Sequence, residues 1–135
     1  MAQNAKNEKA DAILGTYKVT HGGHLTKVRV FKQKNGTYTA QCYWIKDSLD
    51  AKTGKLLLDV KNPDKSQRNT PCNKAILIQG LKYNENKKCW DGAKVYDPTR
   101  GIKANCVVEF DADGRLKVKG SLMGISETSY WTPIK

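Results

Sequence analysis

The chain has 135 residues, 39% hydrophobic and 27% charged, with 24 Lys and Arg against 13 Asp and Glu for a formal net charge of +11. That composition excludes a disordered polyelectrolyte, and no apolar run approaches the roughly 20 residues of a membrane-crossing helix. The length suits one domain with one hydrophobic core. A basic excess favours acidic partners such as anionic lipid headgroups or acidic polysaccharide. It is spread along the chain, with no block longer than the pair Lys87-Lys88. Nucleic-acid readers gather their charge on one face or helix, so the pattern does not point to nucleic acid.

Residues 1–12, polar and without periodicity, read as a flexible N-terminal tail, which leaves 13–135 as a single domain. The opening lacks the apolar stretch of a signal peptide, as expected of a cytosolic chain or of a mature exported one whose leader has been removed. From Gly15 the pattern is β. Tyr17 and Val19 alternate with polar neighbours, His21–His24 (HGGH) marks a turn, and Val28 and Val30 alternate with Lys27 and Arg29. Asn35-Gly36 is a strong hairpin signal. The returning strand places Tyr38, Ala40, Cys42 and Trp44 on one face.

Residues 46–74 break the rhythm with two prolines and an Asn-Pro-Asp turn, and read as one long connection of the kind that is usually functional or mobile. A buried strand follows at 75–83. Then comes CWDGAKVYDPTRG (Cys89–Gly101), where Asp91-Gly92 and Asp97–Gly101 both read as turns. Ile102, Ala104, Cys106, Val108 and Phe110 alternate strictly. A turn at 111–114, a strand at 115–122 and a last strand at 125–134 complete the chain. About eight sequential strands, each with one apolar face, bury that face by closing on themselves. The predicted fold is all-β, a small up-and-down antiparallel barrel whose interior fits side chains or one small ligand.

Cys42, Cys72, Cys89 and Cys106 are even in number and widely spaced, which suits two disulfides in any of three pairings or four buried thiols. No Cys-x-x-Cys supports a zinc or redox site. His21 and His24 lack a third metal ligand nearby, and no nucleophile-elbow, phosphate-loop or zinc-hydrolase motif occurs. These motifs name no catalytic residue, cofactor or metal, so the leading reading is non-catalytic, and an enzyme would need Asp59, Asp64, Asp97 or a histidine gathered in one cleft.

Three blocks resemble domain of unknown function family 2147, a group of small, mostly exported bacterial proteins. Asp59, Asn62, Pro63, Asp64 and Arg68 match the first block. Trp90, Gly92, Tyr96, Asp97, Pro98 and Gly101 match the second, and Leu116, Lys117, Val118, Gly120 and Trp131 the third. The resemblance covers about residues 13–133. It implies a lipocalin-like (calycin-type) barrel in the periplasm or secreted medium, and no established activity. Departures occur at Tyr17, Thr70, Ala93 and Asn105, where the family pattern has Trp, Arg, Gly and an aromatic residue. A site built on paired arginines is thereby weakened. Cys72, Cys89 and Cys106 replace ordinary family positions, which implies a cross-link particular to this subgroup.

Trp90, Tyr96 and Asp97 suit a binding mouth, as does Trp44, and the same residues could equally hold a hairpin in register. Asp59, Asn62, Asp64 and Arg68 form a polar set that could meet a ligand or pin the long loop to the barrel rim. The expected function is capture of a small apolar or amphipathic ligand. The alternative is an envelope-associated module whose basic surface meets anionic lipid or polysaccharide.

Overall fold

A computed structural model describes residues 4–21 and 24–135. Among them, eight strands follow one another around a closed antiparallel barrel. They are β1 (Gly15–His21), β2 (His24–Lys32), β3 (Tyr38–Ile45), β4 (Ile76–Asn84), β5 (Cys89–Asp97), β6 (Ile102–Phe110), β7 (Leu116–Leu122) and β8 (Ile125–Pro133). Closure runs through Tyr17↔Pro133 and Lys18↔Thr132, which removes the free sheet edges. Gly22 and Gly23, where the sequence predicts a turn, lie outside the described residues.

The alternation predicted for β1, β2, β6 and β7 sets the inward face: Tyr17, Val19, Val28, Val30, Cys106, Val108, Phe110, Leu116 and Val118 are all buried. Two β-bulges change the predicted details. Val28 pairs with Cys42 but Lys27 pairs with Trp44, so Tyr43 is an extra residue on β3. Strand alternation has period 2, and one inserted residue moves everything after it to the opposite face. Trp44 therefore leaves the face of Tyr38, Ala40 and Cys42 and stands on the outer wall, with the Lys27 ammonium 4.8 Å from its ring centre. Likewise Asp91-Gly92 is no turn. β5 runs unbroken through it, with the register shifting between Trp90 and Ala93 and Gly92 taking φ +79°. At the Asn35-Gly36 hairpin only the glycine has positive φ, +86°.

The segment read from sequence as a loose tail is, from Asn4 onward, part of the barrel's closed end. Two 3-10 turns, Ala5–Glu8 and Ala10–Ile13, lie across it. Local sequence hides this because the partners that bury the segment, Tyr83, Trp90 and Phe110, are over seventy residues away. Asn7 is fully buried, donating to the Phe110 carbonyl at 3.0 Å and accepting from the Phe110 amide at 2.7 Å. Trp90 Nε1 donates to the Ala10 carbonyl at 3.0 Å, and the Tyr83 and Tyr17 hydroxyls donate to the Asn7 and Ile13 carbonyls at 2.6 and 2.7 Å. Beneath this plug Trp90 meets Tyr83 and Phe110 with ring centres 5.2 and 5.8 Å apart. Each such pair contributes about 0.5–1.5 kcal/mol beyond its burial.

Candidate ligand-binding cavity

The interior tapers. From the plugged end toward the opposite mouth, the inward positions read Phe110, Val108, Cys106, Ala104 on β6 and Leu116, Val118, Gly120 on β7. On β8 they read Trp131, Ser129, Glu127, and on β3 Tyr38, Ala40, Cys42. Large side chains fill the closed half. Small ones leave a cavity of about 640 Å³ in the open half, walled by Val19, Leu77, Val95, Ala104, Val118 and Trp131. A side chain at Gly120 would start 3.2 Å from Val95 Cγ1 and 3.4 Å from Ala104 Cβ, so the bare backbone there helps keep the space open.

Polar groups gather at the mouth. Arg100, in the β5–β6 turn, donates through Nε to Asp97 at 2.6 Å and through its two terminal nitrogens to both oxygens of Glu127 on β8, at 2.9 and 2.5 Å. These carboxylates raise the guanidinium's proton affinity above its already high value. The bidentate pair joins the β5–β6 turn to β8 along the cavity wall.

The long connection, residues 46–75, borders the same mouth through Leu57, Leu58 and Val60. Its anchor is Asp59, only 2% exposed, whose Oδ1 accepts from the Tyr96 hydroxyl at 2.6 Å and whose Oδ2 accepts from Asn62 Nδ2 at 2.9 Å. Arg68 Nε in turn donates to the Asn62 carbonyl at 2.8 Å. Burial, then the hydrogen bond to Asp59, pushes the Tyr96 hydroxyl's pKa well above its ordinary value, so it remains a donor at any physiological pH. Lys61 closes the contact. Its Nζ donates to the Thr99 carbonyl at 2.9 Å, and its backbone oxygen would lie 2.4 Å from any Cβ at Gly101. With φ +69° as well, Gly101 is a position for glycine on two grounds.

The residues singled out in the sequence thus separate. Tyr96 and Asp97 border the cavity. Asp59, Asn62 and Arg68 tie the loop down next to Tyr96. Asp64 is exposed and caps the 3-10 turn Lys65–Gln67, accepting from the Ser66 amide at 3.0 Å, and these Ser66 hydrogen bonds hold its carboxyl below the usual carboxylate range. Trp90 lies in the aromatic layer under the plug and Trp44 on the outer wall. Sequence reading placed Ala104 in an alternating strand and Gly120 in a family block but proposed neither as a site residue, and it did not single out Val95 or Ser129. The shrinking of inward side chains along four strands is the signal that finds them. Arg100 and Glu127, 27 residues apart, carry no local signal.

All four cysteines are free thiols. Cys42 and Cys72 border the cavity. Burial pushes the Cys42 thiol up to about 11 and raises that of Cys72, so neither is a thiolate near neutral pH. Among the described residues no group of three or more His, Cys, Asp or Glu is placed to hold a metal ion, and no helix is long and apolar enough to cross a membrane.

An eight-stranded up-and-down barrel, plugged at one end and hollow at the other, is a lipocalin-like architecture. The chain belongs to domain of unknown function family 2147, described as "uncharacterized protein conserved in bacteria", whose pattern it matches over residues 15–133. Its fold is similar to that of protein HP1028 from the human pathogen Helicobacter pylori, described as belonging to the lipocalin family. That similarity has a TM-score of 0.71 at 22% sequence identity and covers 91% of this chain and 83% of that one. No functionally curated protein matches the chain.

Proposed function

We propose that the protein binds a small amphipathic ligand in the barrel cavity, without covalent chemistry, and does so in the periplasm or after secretion. The observation that carries this reading is the blind, mostly apolar space of about 640 Å³ with its charged groups confined to the rim. That volume lies within the range of small-molecule sites. An apolar body would lie against Trp131, Val118 and Val95, and a polar end would rest near Tyr96, Asp97, Arg100 and Glu127. Native mass spectrometry of protein purified from a bacterial periplasm, followed by titration with fatty acids, tests the reading. A retained mass released on denaturation, or saturable binding at one site, supports it. A clean apo mass with no saturable binding overturns it.

A second reading draws on the outer wall. Lys18 stands directly opposite Lys27 on β1 and β2, a like-charge pair that costs stability, with Arg29 on the same face. Such a wall suits anionic lipid or polysaccharide. Salt separates the two readings, because attraction to an anionic surface collapses with ionic strength and capture in an apolar cavity does not.

A further inference from the structure

The two ends of the barrel differ in their surfaces. At the plugged end the hairpin turns carry Lys34-Asn35, Glu85-Asn86-Lys87 and Ala112-Asp113. At the open end the β7–β8 turn is Leu122-Met123-Gly124-Ile125, with Met123 93% exposed and Ile125 70% exposed. In the long loop Leu49, Leu56, Leu57, Leu58 and Val60 are all exposed, Val60 to 64%, and Leu57, Leu58 and Val60 border the same mouth as the turn. The apolar ring is thus continuous with the cavity wall: Leu57, Leu58, Val60, Leu122 and Ile125 belong to both. Isolated exposed leucines are ordinary, but a contiguous apolar patch framed by polar residues marks an interaction surface.

Met123 strengthens the point. With φ +51°, followed by Gly124 at +81°, it occupies the first position of a two-residue hairpin turn of the type that favours Asn, Asp or Gly. A flexible thioether there is both conformationally disfavoured and exposed to water. Nothing in the fold requires it, since it does not line the cavity.

The charge around the ring is mixed but net basic, with Asp47, Asp97 and Glu127 also at the mouth. The loop residues 46–74 carry seven Lys and Arg against four Asp. Of those carboxylates Asp59 is buried against Tyr96, while Asp50 and Asp64 accept from their own turns. Lys46, Lys52, Lys55 and Lys65 remain exposed.

From an apolar tip set among cations we infer that the open end of the barrel docks on an anionic lipid bilayer, with Met123, Ile125 and the loop leucines entering the headgroup region. This deepens the cavity reading on which it rests, because the mouth would then open onto the membrane and exchange its ligand there. Burial of a few apolar side chains together with cation–headgroup attraction is the usual composition of reversible interfacial binding.

The test uses flotation of the full chain with phosphatidylcholine vesicles, with and without phosphatidylglycerol, at low and high salt. Met123→Asn is the informative variant. It suits the turn, leaves the cavity wall intact and removes only the exposed apolar tip. The wild type is expected to float with the phosphatidylglycerol vesicles, less so at high salt, and the variant to partition about tenfold more weakly. A fluorescent fatty acid titrated into both proteins without vesicles reads the cavity separately and should bind them equally. Equal flotation of wild type and variant, or none at low salt, overturns the docking surface even if the fatty acid binds. Loss of flotation in the variant while neither protein binds the fatty acid upholds the surface and overturns the cavity reading alone.

Discussion

Gly120→Leu is the sharpest probe of the cavity. Gly120 faces inward midway along the hollow half, between Cys106 and Glu127 on the neighbouring strands, in an ordinary backbone conformation, so a side chain there meets no torsional penalty. Its Cβ would be tight, at 3.2 Å from Val95 Cγ1 and 3.4 Å from Ala104 Cβ, but both neighbours are side-chain methyls and the rest of the leucine would project into open space. Four added carbons displace at least as many ligand methylenes. At about 0.8 kcal/mol each, the loss is about 3 kcal/mol, on the order of a hundredfold in Kd. The assay is fluorescence titration with a fatty-acid series. Long chains should lose the full factor and short ones much less, shifting the preferred chain length downward, while the urea midpoint changes little. An unchanged chain-length profile in a folded variant would refute the assignment of this cavity as the binding site.

Other outcomes follow from the loop anchor. Tyr96→Phe leaves Asp59 Oδ1 buried without its 2.6 Å donor, at a cost of about 1.5–3 kcal/mol. Amides of residues 57–72 should lose protection in hydrogen exchange before those of the barrel, and uniform loss across the chain would count against a local anchor. Gly101→Ala puts a methyl 2.4 Å from the Lys61 carbonyl at a positive φ. It should accelerate proteolysis within 46–75 at least tenfold, and a resistant variant would mean that the loop is held elsewhere. Tyr17 and Tyr38, like Tyr96, have hydroxyl pKa values raised by burial above the ordinary 10.0. Their contribution is complete below pH 10 and is lost as pH rises toward the folded-state values, because the unfolded chain then releases the protons first. Stability should therefore fall from about pH 10 upward, more shallowly in Tyr96→Phe, and a flat alkaline limb would contradict the burial.

The barrel was legible in the sequence because strict alternation on β1, β2, β6 and β7 leaves little choice of face, and because Gly36, Gly101 and Gly114 mark three of its hairpins with positive φ. What stayed hidden depends on single inserted residues or on distant partners. The bulge at Tyr43 moves Trp44 to the outer wall, and the bulge at Asp91-Gly92 turns an apparent hairpin into continuous strand. Neither leaves a mark that local propensity can separate from a turn. The plug was hidden for the other reason: Asn7 has no helix or strand pattern of its own, and its structure comes from the Phe110 backbone 103 residues away.

The two halves of the molecule depart from local rules to different degrees. In the closed half, large inward residues, satisfied buried polar groups and polar turns agree with one another, as expected of a region selected for stability. In the open half, the inward residues shrink to Gly120 and Ser129, an ion pair lies along the wall, and leucines and a methionine face water. The shrunken inward residues and the exposed apolar side chains work against compactness or solubility, and neither is needed to close the barrel. Filling the space with larger side chains and placing Asn at position 123 would give a more stable protein with the same topology. That these departures converge on one end supports placing the proposed ligand exchange at the mouth. It also explains why the polar set around Asp59 is built as an anchor: a loop with an exposed apolar edge keeps its position beside an open cavity only if its backbone is tied to the rim.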